Sequence, residues 1–283
     1  MLQGGHWFTE EHEDAGTAFS LRIEARLEEV QSRFQKIEIY QTTDFGMLMV
    51  IDGYAVLSNR DNFLYHEMLA HPVLFTHAWP RRVCIVGGGD CGTLREVLKH
   101  QEVEQVVQVE IDEQVTRLAE RHFPELCDSN ADPRADLLFR DGIRWMAERA
   151  PGSLDVIIVD GSDPVAPAEG LVGADFLRDC LRALDQGGLL VQQSESPLYH
   201  TDILREHYAA LRRVGFAGVQ PLFFPRPLYP SGWWSATLAR KGETIAGLRE
   251  EDVNRRSFPT RYYNAEIHRA ALAVPEFIRV EVE

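Results

Sequence analysis

The stretch "RVCIVGGGDCGTLREVLKH", residues 82–100, decides the fold. A short apolar run enters a glycine turn, and a run with helical spacing leaves it. Gly87, Gly89 and Gly92 satisfy G-x-G-x-x-G, and Glu110 ends the next apolar run, 23 residues beyond Gly87. That spacing is the fingerprint of a nucleotide-binding strand-turn-helix unit, with the acid on the ribose hydroxyls. Asp90 sits inside the loop, where a pyrophosphate would rest on backbone N–H groups. Two unit charges about 4 Å apart at an effective dielectric near 20 repel by roughly 4 kcal/mol. The loop therefore suits a ligand with a ribose and a positive charge but no phosphate, such as a sulfonium nucleoside of the S-adenosylmethionine kind.

Outward from this loop the same grammar repeats. "VEQVVQVEID" precedes "EQVTRLAERHF", "LDVIIVDG" precedes "ADFLRDCLRAL", and "GGLLVQQ" precedes "DILREHYAALRRVGF". Continuous apolar strands alternating with amphipathic helices predict an α/β fold with a mostly parallel sheet covered on both faces. "VQPLFFP" and "GWWSATLARK" would close that sheet as an antiparallel pair. Residues 17–58 instead alternate as strands, with a hairpin signal at Asp52-Gly53, and predict a small N-terminal antiparallel β domain. "NFLYHEMLAHPVLFTHA" has helical spacing, which Pro72 should kink or end. The division expected is 1–76 for the β domain and its connecting helix, and 77–283 for the Rossmann-like domain.

Composition narrows the function classes. Lysine plus arginine number 29 against 44 acidic residues, a formal charge of −15, which argues against a nucleic-acid surface. No apolar run approaches the roughly 18 residues of a membrane span, and the start shows no signal peptide. Cys84, Cys91, Cys127 and Cys180 lack CxxC spacing, which fits a reducing, cytoplasmic setting and neither a disulfide frame nor a metal site.

A second acidic element is "VIIVDGSDPVAPAEGL". Asp160 and Asp163 stand where a parallel strand ends, the edge at which open α/β sheets hold ligands. An Asx turn is the structural alternative for either. Asp141 in "FRDGIRW" can reach the same crevice or cap a helix. Tyr65 and His66 in "LYHEM" and Tyr229 before "PSGWW" add polar aromatic groups.

Taken together, "QSRFQKIEIY", "DGYAVLSNRDNFLYHEM", "VGGGDCGTLREVLKH", "VEIDEQV", "RDG", "VDGSDPVAPAEGL", "YPSGWW" and "YYNAEIHRAALAVPEF" resemble the polyamine aminopropyltransferases, the spermidine synthase type above all. The resemblance implies transfer of an aminopropyl group from decarboxylated S-adenosylmethionine, a co-substrate, to an amine, usually putrescine, releasing methylthioadenosine. It implies a small N-terminal antiparallel β domain on a methyltransferase-like Rossmann domain with a mostly parallel seven-stranded sheet, no permanently bound cofactor, and a homodimer or homotetramer. It assigns Gln35 and Asp90 to the sulfonium donor, Glu110 to the ribose, Asp141 to the adenine amino group, and His66 to the lining of the donor pocket. Asp160 would activate the attacking amine with Tyr65 and Tyr229; Asp163, Glu195 and Gln193 would bind the polyamine nitrogens.

The chain departs from the family pattern at several positions. Cys91 stands where many relatives have glycine, Asn62 where "DEF" is usual, and Val56 where a glutamine often follows "DG". Ala166 and Val172 alter the acidic loop, and Trp233 and Trp234 make the "GWW" stretch bulky, either in the core or in the acceptor channel. The competing expectations are a different di- or polyamine acceptor, an S-adenosylmethionine methyltransferase, a nicotinamide oxidoreductase and a non-catalytic polyamine-binding protein.

Overall fold

The structure, a computed structural model, describes residues 6–161, 168–245 and 247–279. The first unit is a five-stranded antiparallel sheet in chain order: β1 (His6–His12), β2 (Thr17–Gln31), β3 (Lys36–Thr42), β4 (Met47–Ile51) and β5 (Tyr54–Ser58). Asp52 and Gly53 join β4 to β5 with φ of 49° and 91°, the left-handed pair that a two-residue hairpin turn requires. β1 had no strand signal. Its sequence, HWFTEEH, buries only Phe8 and Glu10, and it exists by pairing with β2 from His6 opposite Ile23 to His12 opposite Thr17.

α1 (Asn62–Thr76) connects the units and runs through Pro72 without ending. Proline there removes one helix hydrogen bond. The helix persists because nearly all of it is buried: Met68, Leu69, Val73 and Leu74 pack with Val83, Ile85, Val156, Ile158 and Val191. Although the sequence groups this helix with the first unit, its apolar side chains share a core with the second sheet.

That sheet has seven strands: β6 (Arg82–Gly87), β7 (Gln105–Glu110), β8 (Ala135–Phe139), β9 (Leu154–Asp160), β10 (Leu184–Gln193), β11 (Phe216–Pro225) and β12 (Trp233–Lys241). Their order is β11-β12-β10-β9-β6-β7-β8, parallel from β10 to β8, with β12 antiparallel to both its neighbours. Alternate residues feed two separate cores. Val156 and Ile158 of β9 join Val191 of β10 on one face, while Ile157, Val159 and Leu190 join the other. Burial on both faces is why these strands read as unbroken apolar runs.

Helices α2 (Gly92–Leu98), α3 (Glu113–His122), α4 (Pro124–Cys127), α5 (Gly142–Ala147), α6 (Ala174–Ala183) and α7 (Thr201–Val214) follow the strands, and α8 (Glu250–Arg255) and α9 (Ala265–Ala271) complete the chain. Strand order reverses between β6 and β9, so the crevice of this fold opens at their C-terminal ends. Among the described residues no helix is long and apolar enough to cross a membrane.

One side chain of α1 clasps the backbone just before α9. Glu67 of α1, almost fully buried, accepts hydrogen bonds from the backbone N–H groups of Arg261, Tyr262 and Tyr263 at 2.7, 2.9 and 2.8 Å. Glu67→Ala leaves three donors without their partner, and the expected destabilisation is about 2–4 kcal/mol. Chemical denaturation reads the loss, and hydrogen exchange should localise it to residues 261–271. Unchanged protection there would show that the clasp is dispensable.

Candidate active site

The glycine loop is shaped by close approach. β6 and β9 pair with Gly87 opposite Asp160, and Gly88 N–H donates to the Asp160 carbonyl at 2.7 Å. Gly87 has a φ of 84°, and a Cβ on it would lie 2.2 Å from that carbonyl oxygen. Only glycine fits there. At Gly92 a Cβ would lie 2.1 Å from the His66 ring. Cys91 takes the left-handed conformation with φ 65°. Glycine would adopt it freely, while Cys91 is held there fully buried, with Gln108 Nε2 3.7 Å from its sulfur.

The loop, the ends of β7 and β9 and the first sheet enclose a cleft of about 150 Å³. Gln35, Tyr65, Gly87, Gly89, Asp90, Glu110, Asp141, Asp160 and Tyr229 all line it. His66 does not. It is buried behind Asp90, with Nε2 3.0 Å from Asp90 Oδ2, so it supports the carboxylate instead of lining the pocket. Gln193 and Glu195 line a separate cavity beside the cleft, and Asp163 and Ala166 lie outside the described residues.

Asp90 has two partners in place of a phosphate. Oδ1 accepts the Gly92 N–H at 2.8 Å and Oδ2 meets His66. Burial opposes its charge, but the His66 ring and that N–H outweigh burial and hold the carboxyl below its ordinary range. Asp160 is pushed the other way. Burial and the nearby Asp90 charge raise its pKa, against the lowering pull of His66 and of hydrogen bonds from Thr93 and Tyr65. Tyr65 Oη donates to Oδ1 at 2.7 Å and Thr93 Oγ1 to Oδ2 at 2.5 Å. The two carboxyls thus diverge, one held ionised and the other more basic, as acid–base sites arrange such pairs.

Glu110 accepts the Asp112 N–H at 2.8 Å, yet burial raises its pKa to about 7. Asp112 caps α3 through Gln114 N–H and accepts from Ser32 and Gln35 Nε2 at 2.6 and 3.0 Å. This bond positions Gln35 and ties the first sheet to the second. Asp141 caps α5, accepting from Ile143 and Arg144 N–H, and still faces the cleft.

Beneath the tyrosines lies a group without a sequence assignment. Arg226, almost fully buried, places its guanidinium 4.5 Å from the Tyr229 ring centre and 5.3 Å from that of Tyr65. It is paired with Asp61 at 3.3 Å and donates to the carbonyls of Asp61 and Val56. Its only sequence signal is a lone charge in the apolar run "FPRPLYP". Asp112 had one too, as a cap residue before a helical run, whereas Thr93 had none. Trp234 is core: fully buried, edge-on to Tyr229 at 4.8 Å, and donating to Gln193 Oε1 at 2.8 Å. Trp233 packs against Phe223 and Phe277. Asn62 is structural, donating to the carbonyls of Ser58 and Asn59.

With this geometry described, comparison with known proteins is decisive. Residues 62–247 match the spermine/spermidine synthase domain, and residues 6–58 match the spermidine synthase tetramerisation domain. The chain belongs to the spermine/spermidine synthase family. It is an enzyme of the polyamine aminopropyltransferase class. It is 60% identical to the polyamine aminopropyltransferase of Methylococcus capsulatus, over 98% of this chain and 97% of that one. The Thioalkalivibrio sulfidiphilus polyamine aminopropyltransferase is 61% identical, over 96% of each. A crystal structure of a spermidine synthase in complex with the transition-state analogue AdoDATO superposes with a TM-score of 0.94 at 32% identity, covering 99% of this chain and 96% of that chain. The Thermotoga maritima spermidine synthase superposes with a TM-score of 0.92 at 32% identity, covering 99% and 95%.

The buried Glu110 carboxyl makes a prediction about the unliganded protein. Its folded pKa of about 7 lies above the ordinary 4.5, so its charge opposes folding. That cost is absent below pH 4.5, grows as pH rises towards 7 and is complete above it. Glu110→Gln should therefore stabilise the unliganded protein by about 3 kcal/mol at pH 8, the gain vanishing near pH 4.5. Urea unfolding at several pH values measures it, and a pH-independent difference would contradict the assignment.

Proposed function

We propose that the enzyme transfers the aminopropyl group of decarboxylated S-adenosylmethionine to putrescine, giving spermidine and methylthioadenosine. The observation that carries this reading is the pairing of Asp90 with Asp160 in one cleft with Glu110. A ribose acceptor, an ionised carboxylate suited to a cationic arm and a basic carboxylate suited to an amine match that donor and that acceptor.

In this reading Glu110 takes the ribose hydroxyls, Gln35 contacts the donor, Asp141 takes the adenine amino group, and Asp90 pairs with the amine of the aminopropyl arm. S-adenosylmethionine itself carries a carboxylate beside that amine, which Asp90 repels. The acceptor nitrogen must attack as a neutral amine. With an alkylamine pKa near 10.4, offering that form at pH 7 costs about 4.6 kcal/mol. Asp160 accepts the proton as the N–C bond forms and the C–S bond breaks. Its raised pKa favours that role, and the Tyr65 and Thr93 hydrogen bonds aim it. Tyr229 orients the attacking nitrogen, while Glu195, Gln193 and Asp163 hold the far end of the acceptor. Holding the reactants in line supplies much of the remaining acceleration.

The assay is release of methylthioadenosine from decarboxylated S-adenosylmethionine with putrescine. Asp160→Asn should lower turnover at least about a hundredfold while methylthioadenosine affinity changes less than threefold. Asp90→Asn should weaken donor binding about tenfold or more, measured by calorimetry, and relax the preference over S-adenosylmethionine. An Asp160→Asn enzyme turning over near the parent rate rules that residue out as the base. Methyl transfer, or binding of polyamine without release, would favour the competing readings.

The first sheet is proposed as the surface of a homodimer or homotetramer, supported by the tetramerisation-domain match of residues 6–58. Sedimentation equilibrium should give a mass at least twice the chain mass of 32.2 kDa. A single-chain mass would overturn this part.

A further inference from the structure

Beside the main cleft lies a smaller cavity of about 40 Å³, between the ends of β9 and β10 and the first turns of α7. Gly161 and Leu171 line both spaces. Its apolar walls are Val159, Leu171, Val172, Ile203 and Leu204. Four buried polar residues also line it, of which Ser194 is paired with Thr237 at 2.6 Å.

Gln192, 4% exposed, donates Nε2 to the Leu171 carbonyl at 3.2 Å, and its Oε1 has no partner among the described residues. His207, 8% exposed, has no partner on either ring nitrogen among the described residues, and burial lowers its pKa to about 4. Its imidazole is therefore neutral at pH 7, with one nitrogen lone pair to offer. Glu195 completes the set, its Oε2 2.8 Å from His200 Nδ1. An amide oxygen, an imidazole nitrogen and a carboxylate are all acceptors, and a primary ammonium carries three N–H donors with no acceptor. By volume the cavity admits roughly three water-sized groups, enough for an ammonium and the methylenes that carry it.

We propose that this cavity is a subsite for the terminal ammonium of acceptors longer than putrescine, with Gln192 and His207 as specificity-determining residues. The subsite rests on the function proposed above, because it extends the acceptor site of that reaction beyond Glu195. Gln192 and Gln193 are neighbours on β10 and both line this cavity, but the Gln193 Oε1 is taken by Trp234 while the Gln192 Oε1 is not. Leu171 and Val172 form part of the wall.

The test is the ratio of kcat/KM for cadaverine and for spermidine to that for putrescine, read by methylthioadenosine release. His207→Leu keeps the bulk and removes the acceptor; it should lower the ratio at least tenfold, mainly through KM. His207→Gln restores an acceptor and should return the ratio to within threefold of the parent. Gln192→Leu provides an independent variant should His207→Leu misfold, and it should lower the ratio in the same direction. A ratio unchanged in these variants would mean that the cavity holds only water and would overturn the subsite while leaving the reaction intact. No release with any amine, in an enzyme that still binds methylthioadenosine, would overturn the proposed reaction and the subsite with it.

Discussion

One backbone hydrogen bond, from Gly88 N–H to the Asp160 carbonyl, organises the site. It joins the ends of two neighbouring parallel strands where the chain order reverses, and no side chain can intervene because a Cβ on Gly87 would meet that oxygen at 2.2 Å. The glycine loop and the end of β9 at Asp160 are thereby held against each other. Asp90 and Asp160 face one cleft as a consequence, close enough for the charge of one to raise the pKa of the other.

Everything around that pair separates the two carboxyls. His66 and the Gly92 N–H stabilise charge on Asp90, whereas Asp160 relies on neutral hydroxyl donors from Tyr65 and Thr93. Without such asymmetry two like carboxylates in one crevice would compete for a single proton. Gly92 has a part in this, since its missing side chain is what lets the His66 ring approach. The third glycine of the motif thus shapes the site as well as the turn.

A second layer fixes the aromatic wall. Arg226 sits against the rings of both Tyr65 and Tyr229, and Asp61 with two carbonyl groups offsets the cost of burying its charge. Val56, which stands where relatives often carry a glutamine, contributes its carbonyl to Arg226 and Tyr229 and its side chain to the cleft. The side chain changes what lines the cleft, while the backbone role at that position would survive any side chain.

The local grammar of the chain was enough for the glycine loop, the parallel order of strands and helices, the Asp52-Gly53 turn and the acids at the strand ends. Each depends on residues close in sequence: glycine tolerance of positive φ, apolar periodicity, and a carboxylate placed next to a helix start. Contacts between distant segments lay beyond that reach. β1 is a strand only because β2 pairs with it, and Pro72 remains helical because α1 is buried. His66 backs Asp90, and Thr93 reaches Asp160 across 67 residues. Arg226 meets Asp61 across 165 residues, and Glu67 clasps a segment nearly 200 residues away. A pattern of residue types specifies which groups are available. Only packing decides which of them share a low-dielectric pocket, and that sharing determines which carboxyl carries the charge and which takes the proton.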